Sequence, residues 1–289
     1  MAKGVVAMRT LTDNEIRALI VLLGDDDIKT AAIARKTLLE ARHQARPFLE
    51  ASRDSSDPHV RTRVYGILET LRLDELGERF RNFATLPSAW LDLEEGTYLI
   101  AESAYPNLSR SHYAGILDQM AGELRERLTP MPRGRELIER LNGYVFGELG
   151  FRGNEEHYYD PDNCYINRVL DRRLGLPITL SAVYLLVARR LRIPVVGIGM
   201  PGHFVLQYND SLYIDAFHQG RILTRAECVQ FLMTNGFGYH PAYLSPTPTR
   251  FMLVRMLTGL IQVFSEADNE RAGVLTSFRD ALFHSYARV

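Results

Sequence analysis

The sequence predicts an α+β protein in which a central helix packs on a small antiparallel sheet, with helical segments before and after this core. Three observations lead to the prediction. Apolar residues recur at three- and four-residue steps through the first third of the chain. A long apolar run is followed by three short segments of β character between Val195 and Phe217. Helical spacing then returns beyond Pro246.

The composition is that of a soluble globular protein and names no charged partner. The chain has 289 residues, with 34 Lys and Arg against 35 Asp and Glu, a formal net charge of −1. A balance of this kind gives no overall field that attracts nucleic acid or an anionic membrane, so we expect neither as a partner. The length allows one large domain or two to three smaller ones.

The two cysteines, Cys164 and Cys228, exclude a disulfide scaffold and a zinc site built from four thiolates. They fit a reducing cytoplasm, which is the predicted location. No apolar stretch approaches about 18 residues, and residues 1–10 lack the pattern of an export signal. We therefore expect no membrane span and no leader.

The helical first third of the chain contains an internal repeat. Asp25-Asp26-Asp27-Ile28 aligns with Asp57-Pro58-His59-Val60, together with the apolar residues that follow each, at an offset of 32 residues. Each copy opens with Asp, a good helix cap, and continues with helical spacing. The pattern predicts two stacked helical hairpins and resembles HEAT-type repeats over residues 1–85. Two ordinary amphipathic helices that happen to align give the same pattern, since solenoids normally need three or more units.

Residues 86–240 hold the predicted core, and residues 241–289 form a helical segment. Prolines and turn residues divide the core into elements. The predicted helices are Cys164 to Leu174 and Leu180 to Leu191; the predicted strands are Val195 to Gly199, His203 to Tyr208 and Leu212 to Phe217, and Asn209-Asp210-Ser211 joins the last two. The tail is predicted to be helical from Pro246 to Ala287.

Alternation along the last two strands predicts their register. The even-numbered positions from Phe204 to Tyr208 and from Leu212 to Ala216 are all apolar, so they should point together into the core. Paired positions must then sum to an even number, which a three-residue loop at 209–211 supplies. His203 and Asp215 fall together on the opposite, more polar face as diagonal neighbours, with Cβ atoms roughly 7 to 8 Å apart.

A histidine oriented by a carboxylate is the general-base half of a nucleophilic site, because the carboxylate fixes the tautomer and stabilises the imidazolium. The Pro201-Gly202 step before His203 favours exposure of the ring. A satisfied structural pair that only holds the two strands together is the alternative.

Five ordered motifs around this pair resemble the SirB-type branch of the transglutaminase-like superfamily over about residues 85–235. They are Phe151-Arg152-Gly153-Asn154, Asp160-Pro161-Asp162-Asn163, Gly175-Leu176-Pro177-Ile178-Thr179-Leu180-Ser181, Pro201-Gly202-His203-Phe204 and Tyr213-Ile214-Asp215-Ala216-Phe217. The resemblance implies a papain-like fold with a nucleophilic Cys at the start of the central helix and His and Asp on adjacent strands. His203 and Asp215 match the second and third members.

The expected cysteine is missing from this pattern. By the resemblance it would fall at about Pro177, where no neighbouring residue is a thiol. Thr179 is the best substitute by position, and an ordinary N-terminal helix residue is the alternative. Cys164 is a second candidate, because a thiol in the first turn of a helix has a lowered pKa; the alternative is a structural cysteine, and the same holds for Cys228.

The spacing of the remaining residues indicates no cofactor and no metal. None of the eight histidines forms the i, i+4 pair of a metalloprotease, and no Gly-rich phosphate-binding loop with Lys occurs. We therefore predict a transglutaminase-like protein without the catalytic Cys, a pseudoenzyme whose partner is another protein. The alternative is an active amide or thioester hydrolase or acyltransferase that uses His203, Asp215 and a Cys or Thr nucleophile.

Overall fold

The computed structural model describes residues 10–265 and 268–286, and this part of the chain divides into two compact units at Glu78 and Arg79. The predicted absence of a leader concerns residues 1–10, of which residues 1–9 lie outside the described residues, as does Ala287 at the end of the predicted tail helix. No helix in the described ranges combines the length and the apolar character needed to cross a membrane.

The first unit is built from helices α1 (Asp13–Leu22), α2 (Ile28–Ala51) and the greater part of α3 (Pro58–Ala84). Asp27 caps α2 by accepting the N–H of Lys29, and Asp57 accepts the N–H of His59 at the start of α3. Both predicted Asp-led starts are therefore helix starts. The second copy forms one helix of 27 residues without the turn of a hairpin, because its apolar spacing continues unbroken. The HEAT-like assignment stays a prediction.

The second unit contains the larger set of elements, all of them in chain order. After α4 (Leu93–Glu102), α5 (Arg110–Arg127) and α6 (Gly134–Asn142) come β1 (Arg152–Gly153), α7 (Ile166–Arg172), β2 (Leu174–Gly175), α8 (Pro177–Arg190), β3 (Val195–Met200), β4 (His203–Tyr208), β5 (Leu212–Asp215), β6 (Arg221–Leu223), α9 (Arg225–Thr234), α10 (Thr249–Phe264) and α11 (Asn269–Tyr286). This mixture of helices and small sheets is the predicted α+β class.

The larger sheet is an antiparallel meander in the order β3-β4-β5-β6, and β1 pairs in parallel with β2. In the β4–β5 hairpin Leu206 pairs with Ile214 and Tyr208 with Leu212. The paired positions sum to an even number and residues 209–211 form the loop, so the register prediction is confirmed. Strand β6 was not predicted, because three residues are too few to show alternation.

Helix α8 is the central helix of the second unit. It begins at Pro177, whose missing N–H costs nothing at the first helical position. It packs against β3 and β4 as well as α5, α7 and α10. Most of its side chains are buried, which explains why its sequence shows an apolar run rather than an amphipathic stripe.

Helix α9 covers the other face of the sheet, which was predicted to be the more polar one. Cys228 and Leu232 of α9 join Val205 and Tyr213 of the sheet in one apolar cluster, and all four are fully buried. The prediction was wrong for most of this face, because the amphipathic run that became α9 was not assigned to it. Only the end of the face that carries His203 and Asp215 is polar.

The outer edge of β3 is closed by the segment before α10. The N–H of Thr247 donates to the carbonyl of Gly197 at 2.8 Å, and the N–H of Gly199 donates to the Thr247 hydroxyl at 2.7 Å. Ile198 and Pro246 form an isolated bridge between these hydrogen bonds. The edge of the sheet is thus paired within the chain.

A buried arginine holds together the ends of several helices in the second unit. Arg250 is 2% exposed and donates to the carbonyls of Ala84, Leu86 and Leu282 at 2.8 to 3.0 Å. Carbonyl groups at helix ends carry partial negative charge, which suits a guanidinium with its five donors. This contact joins the end of α3 to α10 and α11.

Candidate functional site

His203 and Asp215 meet at one end of the larger sheet. Nε2 of His203 lies 2.9 Å from Oδ2 of Asp215, and the two residues are 9% and 5% exposed. Continuing the β4–β5 register would pair position 203 with position 217, so that 215 is its diagonal neighbour. The predicted juxtaposition of the two side chains is present, and their catalytic role stays a prediction.

Backbone hydrogen bonds fix the orientation of the Asp215 carboxylate. Its Oδ1 accepts the N–H groups of Phe217 and His218 at 3.1 and 3.2 Å. Burial raises the pKa of Asp215, but the hydrogen bonds and charges of His203 and His218 lower that pKa by more, and it lies below the ordinary value. The ionised carboxylate only accepts hydrogen bonds, so Nε2 of His203 donates the proton and Nδ1 is the nitrogen left to act as a base.

His218 is a third member of the site that the sequence pattern did not reveal. Its Nδ1 lies 2.8 Å from the same Oδ2 of Asp215, while its side chain is 54% exposed. The residue reaches Asp215 through the turn that follows β5, in which Gln219 and Gly220 have positive φ values of 53° and 76°. The available signal was an Asp followed three residues later by His at a strand end, which is the spacing of an Asx-type turn.

A cavity of about 480 Å³ opens beside these three residues. Residues of β6 and α9 complete its wall, and they are largely polar: Arg221, Glu227, Gln230, Thr234 and Asn235. Phe231 supplies an aromatic wall, because its ring centre lies 5.5 Å from that of His203. The imidazole therefore lies between a polar cleft and a hydrophobic surface.

The turn before His203 brings another aromatic side chain close to the site. Gly202 has a φ of 76°, and a side chain at this position would clash with the ring of Phe237, 2.8 Å from the ideal Cβ. Phe237 itself is 44% exposed. Gly202 thus allows an aromatic ring to lie against the backbone next to the imidazole.

Thr179 lies at the start of α8 as predicted, but its hydroxyl is fully engaged. The side chain is completely buried, donates to the carbonyl of Asn163 at 2.6 Å and accepts the N–H of Leu176 at 3.0 Å. Asn163 is held in turn by Asn154, whose amide donates to its side-chain oxygen. These bonds give Thr179 a role in fixing the helix start, and no described contact joins it to His203.

Neither cysteine is activated in the structure. Cys164 follows a short 3₁₀ turn and precedes α7, so it does not lie in the first turn of an α-helix as expected. Burial, and then the charge of Asp160, raise the pKa of its thiol to about 12. Burial, with the charges of Glu227 and Asp215, likewise raises the pKa of Cys228 to about 12. Both thiols are protonated at neutral pH.

The arrangement supplies a general base with its orienting carboxylate, but no thiolate beside the base. The same side chains also form the one group of metal-ligating residues found among the described residues, with ligand atoms within 4.8 Å of one another. The spacing rules missed this group because strand pairing and a turn assemble it, rather than one helix face.

Comparison with known proteins places the site in a family. Residues 111–258, about half of the chain, match the transglutaminase-like superfamily. A UPF0162 protein of Xylella fastidiosa strain Temecula1 is 34% identical over 198 residues, which cover 65% of this chain and 70% of that relative. UPF0162 protein PA3419 of Pseudomonas aeruginosa is 29% identical over 189 residues, 63% of this chain and 68% of its own.

A more distant context is provided by F-box only protein 21 of Mus musculus, which is 38% identical over 104 residues, 32% of this chain but 17% of that protein. No solved structure matches the chain. The SirB-type branch stays a prediction. Because the matched region contains the central helix, the whole four-stranded sheet and both His203 and Asp215, the chain belongs to the transglutaminase-like superfamily.

Proposed function

We propose that this transglutaminase-like domain is a pseudoenzyme that binds a segment of another protein and does not transfer acyl groups through a thiol. The observation that carries the proposal is the state of the two cysteines, which are buried, with their pKa values raised to about 12. A thiol with that pKa is an unreactive nucleophile at neutral pH. Both cysteines are free, and a cytoplasmic location is part of the proposal.

The cavity beside His203 has the composition of a peptide-binding cleft. Its polar wall offers donors and acceptors to a peptide backbone, and Phe231 and Phe237 offer exposed aromatic surface at the same end of the sheet. Aromatic side chains at a partly polar rim are typical of sites that recognise protein segments.

The relatives give independent support for a modular role. A stretch of this chain recurs in F-box only protein 21, of which it covers 17%. The same fold unit thus occurs in chains of very different length. Such recurrence is typical of a domain that contributes one interaction to a larger architecture.

Alkylation of the thiols tests the absence of thiol chemistry. With iodoacetamide at neutral pH, we expect Cys164 and Cys228 to react at least about a thousandfold more slowly than a small free thiol, because so little thiolate is present. The variant His203→Ala should label at the same slow rate as the native chain. Fast labelling that depends on His203 would show an activated thiol and overturn the proposal.

Peptide selection tests the cleft itself. Peptides selected from a random library on the full chain should lose at least about tenfold in affinity for Gln230→Trp, which fills the mouth of the cavity. Met233→Trp is the matched control, because Met233 is 59% exposed on the same helix and does not line the cavity. Equal binding to both variants, or no selectable peptide, would contradict a binding role for the cleft.

The oriented His203 also favours a second candidate, an amide or thioester hydrolase or acyltransferase. Its base is held at 2.9 Å from an ionised carboxylate in an open cavity, which general-base catalysis requires. Thr179 or Cys164 would have to leave its present contacts to serve as nucleophile. Turnover of thioester and amide substrates that falls about 100-fold or more in His203→Ala, but not in His112→Ala, would establish this activity.

A further inference from the structure

Two histidines converge on one oxygen of Asp215, which is more than a base-and-carboxylate pair requires. Orienting His203 needs a single hydrogen bond, but His218 also directs its Nδ1 at Oδ2 from a turn where its ring is half exposed and free to face solvent. We infer that His203, Asp215 and His218 form a binding site for one divalent transition-metal ion of the zinc class. This inference does not rest on the proposed peptide-binding function.

The distances suit three ligands of one metal ion. Imidazole nitrogens and carboxylate oxygens bind zinc at about 2.0 to 2.1 Å, so tetrahedral ligand atoms lie about 3.3 Å apart. Oδ2 lies 2.9 Å from Nε2 of His203 and 2.8 Å from Nδ1 of His218, and all three atoms are within 4.8 Å of one another. Shifts of about half an ångström therefore bring all three to a common centre.

The carboxylate is already prepared as a single-oxygen ligand. Its Oδ1 is occupied by two backbone N–H groups, which leaves Oδ2 facing the two rings. Such outer hydrogen bonds normally orient metal-binding side chains. Metal binding requires each imidazole to move its proton to the other ring nitrogen, so two N–H···O bonds are replaced by two metal–nitrogen bonds without loss of charge balance.

Access and charge around the site are compatible with one ion. The cavity beside the three residues gives a path from solvent and room for water at the remaining coordination position. Arg221, the nearby cation, pairs with Glu227 at 3.2 Å. Two imidazoles with one carboxylate favour zinc, nickel or copper over magnesium or calcium, which prefer an all-oxygen set.

Cobalt is the spectroscopic probe of this site. The full chain, stripped with a chelator, is titrated with Co²⁺ and, separately, with Zn²⁺ and Mg²⁺. We expect saturable binding of about one Co²⁺ or Zn²⁺ per chain, visible absorption bands of tetrahedral cobalt, and no comparable binding of Mg²⁺.

Substitutions identify the ligands. His218→Ala should weaken Co²⁺ and Zn²⁺ binding by about 100-fold or more, and it should fold normally because the residue is half exposed. His112→Ala, an exposed histidine of α5, is the matched control and should bind as the native chain does. His218→Cys should restore binding and add a near-ultraviolet thiolate-to-cobalt band, which only a ligand at position 218 produces.

The inference is wrong if the native chain binds neither Co²⁺ nor Zn²⁺ in a saturable way. It is equally wrong if His218→Ala binds as tightly as the native chain, or if His218→Cys binds cobalt without the thiolate band. Failure of peptide binding to the cleft would leave the metal titration unaffected, so the two proposals are tested separately.

Discussion

The two oxygens of Asp215 have different partners. One accepts two backbone N–H groups and the other faces two imidazoles. An amide in its place keeps the shape but presents an N–H₂ group to one set of these donors. The residue is thus a structural joint between β4, β5 and the following turn, whatever chemistry the site performs.

Asp215→Asn is therefore expected to lower the free energy of unfolding by about 1 to 3 kcal/mol, because buried hydrogen bonds to the charged group are lost. Urea denaturation measures this change. Asp210→Asn is the control, since Asp210 is exposed in the β4–β5 loop and its substitution should change the stability little. Equal stability of Asp215→Asn and the native chain would show that the carboxylate charge is not used in folding.

The pH dependence of stability follows from the lowered pKa of Asp215. A carboxyl group whose pKa is lower in the folded state stabilises the fold above its unfolded pKa, about 3.9, and loses this contribution as pH falls through the folded pKa. The stability difference between the native chain and Asp215→Asn should thus be constant near neutral pH and shrink below about pH 4. Urea titrations from about pH 3 to 7 test this; a difference that grows in acid would contradict it.

At the scale of elements, a glycine sets the distance between α4 and α10. A Cβ at Gly96 would lie 2.8 Å from Cδ2 of Leu253 and still closer to its Cδ1, and Leu253 is completely buried. The glycine therefore permits a close approach of the two helices that no other residue allows.

Gly96→Ala should accordingly destabilise the second unit by about 1 to 3 kcal/mol, because the buried Leu253 has no room to move. Gly115→Ala is the same substitution in α5 at a position with nothing within 4 Å of the new Cβ, and it should stabilise by up to about 1 kcal/mol. Opposite signs in thermal or urea unfolding are the expected result. A stabilising Gly96→Ala would show that the two helices separate easily.

Local patterns predicted the elements that carry their own signal. The strands β3 to β5 and the register of their hairpin followed from alternation, and the start of α3 from its Asp cap. Contributions that depend on tertiary placement could not be predicted. His218 joins the site only through a turn with two left-handed residues, and α9 covers a sheet face that alternation alone leaves open.

At the scale of the whole molecule, each of the two units has its own core. In the first unit a single apolar cluster joins α1, α2 and α3 and includes Leu38, which is completely buried. In the second unit buried side chains of α8 and α10, including Leu260, surround the sheet. The resemblance to the transglutaminase-like superfamily covered the second unit, and no comparable pattern fixed the helix count of the first.

Separate cores predict separate responses to core substitutions. Leu38→Ala should lower the opening free energy of amides in α1 and α2 by about 2 to 5 kcal/mol and leave those of α8 and β4 unchanged. Leu260→Ala should do the reverse. Native-state hydrogen exchange resolves the two sets. A uniform loss of protection after either substitution would show that the chain unfolds as one cooperative unit.

The contact of Thr247 with β3 has a consequence for self-association. Unpaired strand edges recruit further chains, which leads to fibres and aggregates. Here residues 246–247 occupy the edge of β3, and β6 at the opposite edge is only three residues long. An incoming strand must compete with a segment tethered to the same chain, at a high effective concentration. The protein is thereby protected against open-ended polymerisation through its sheet, even when it is abundant.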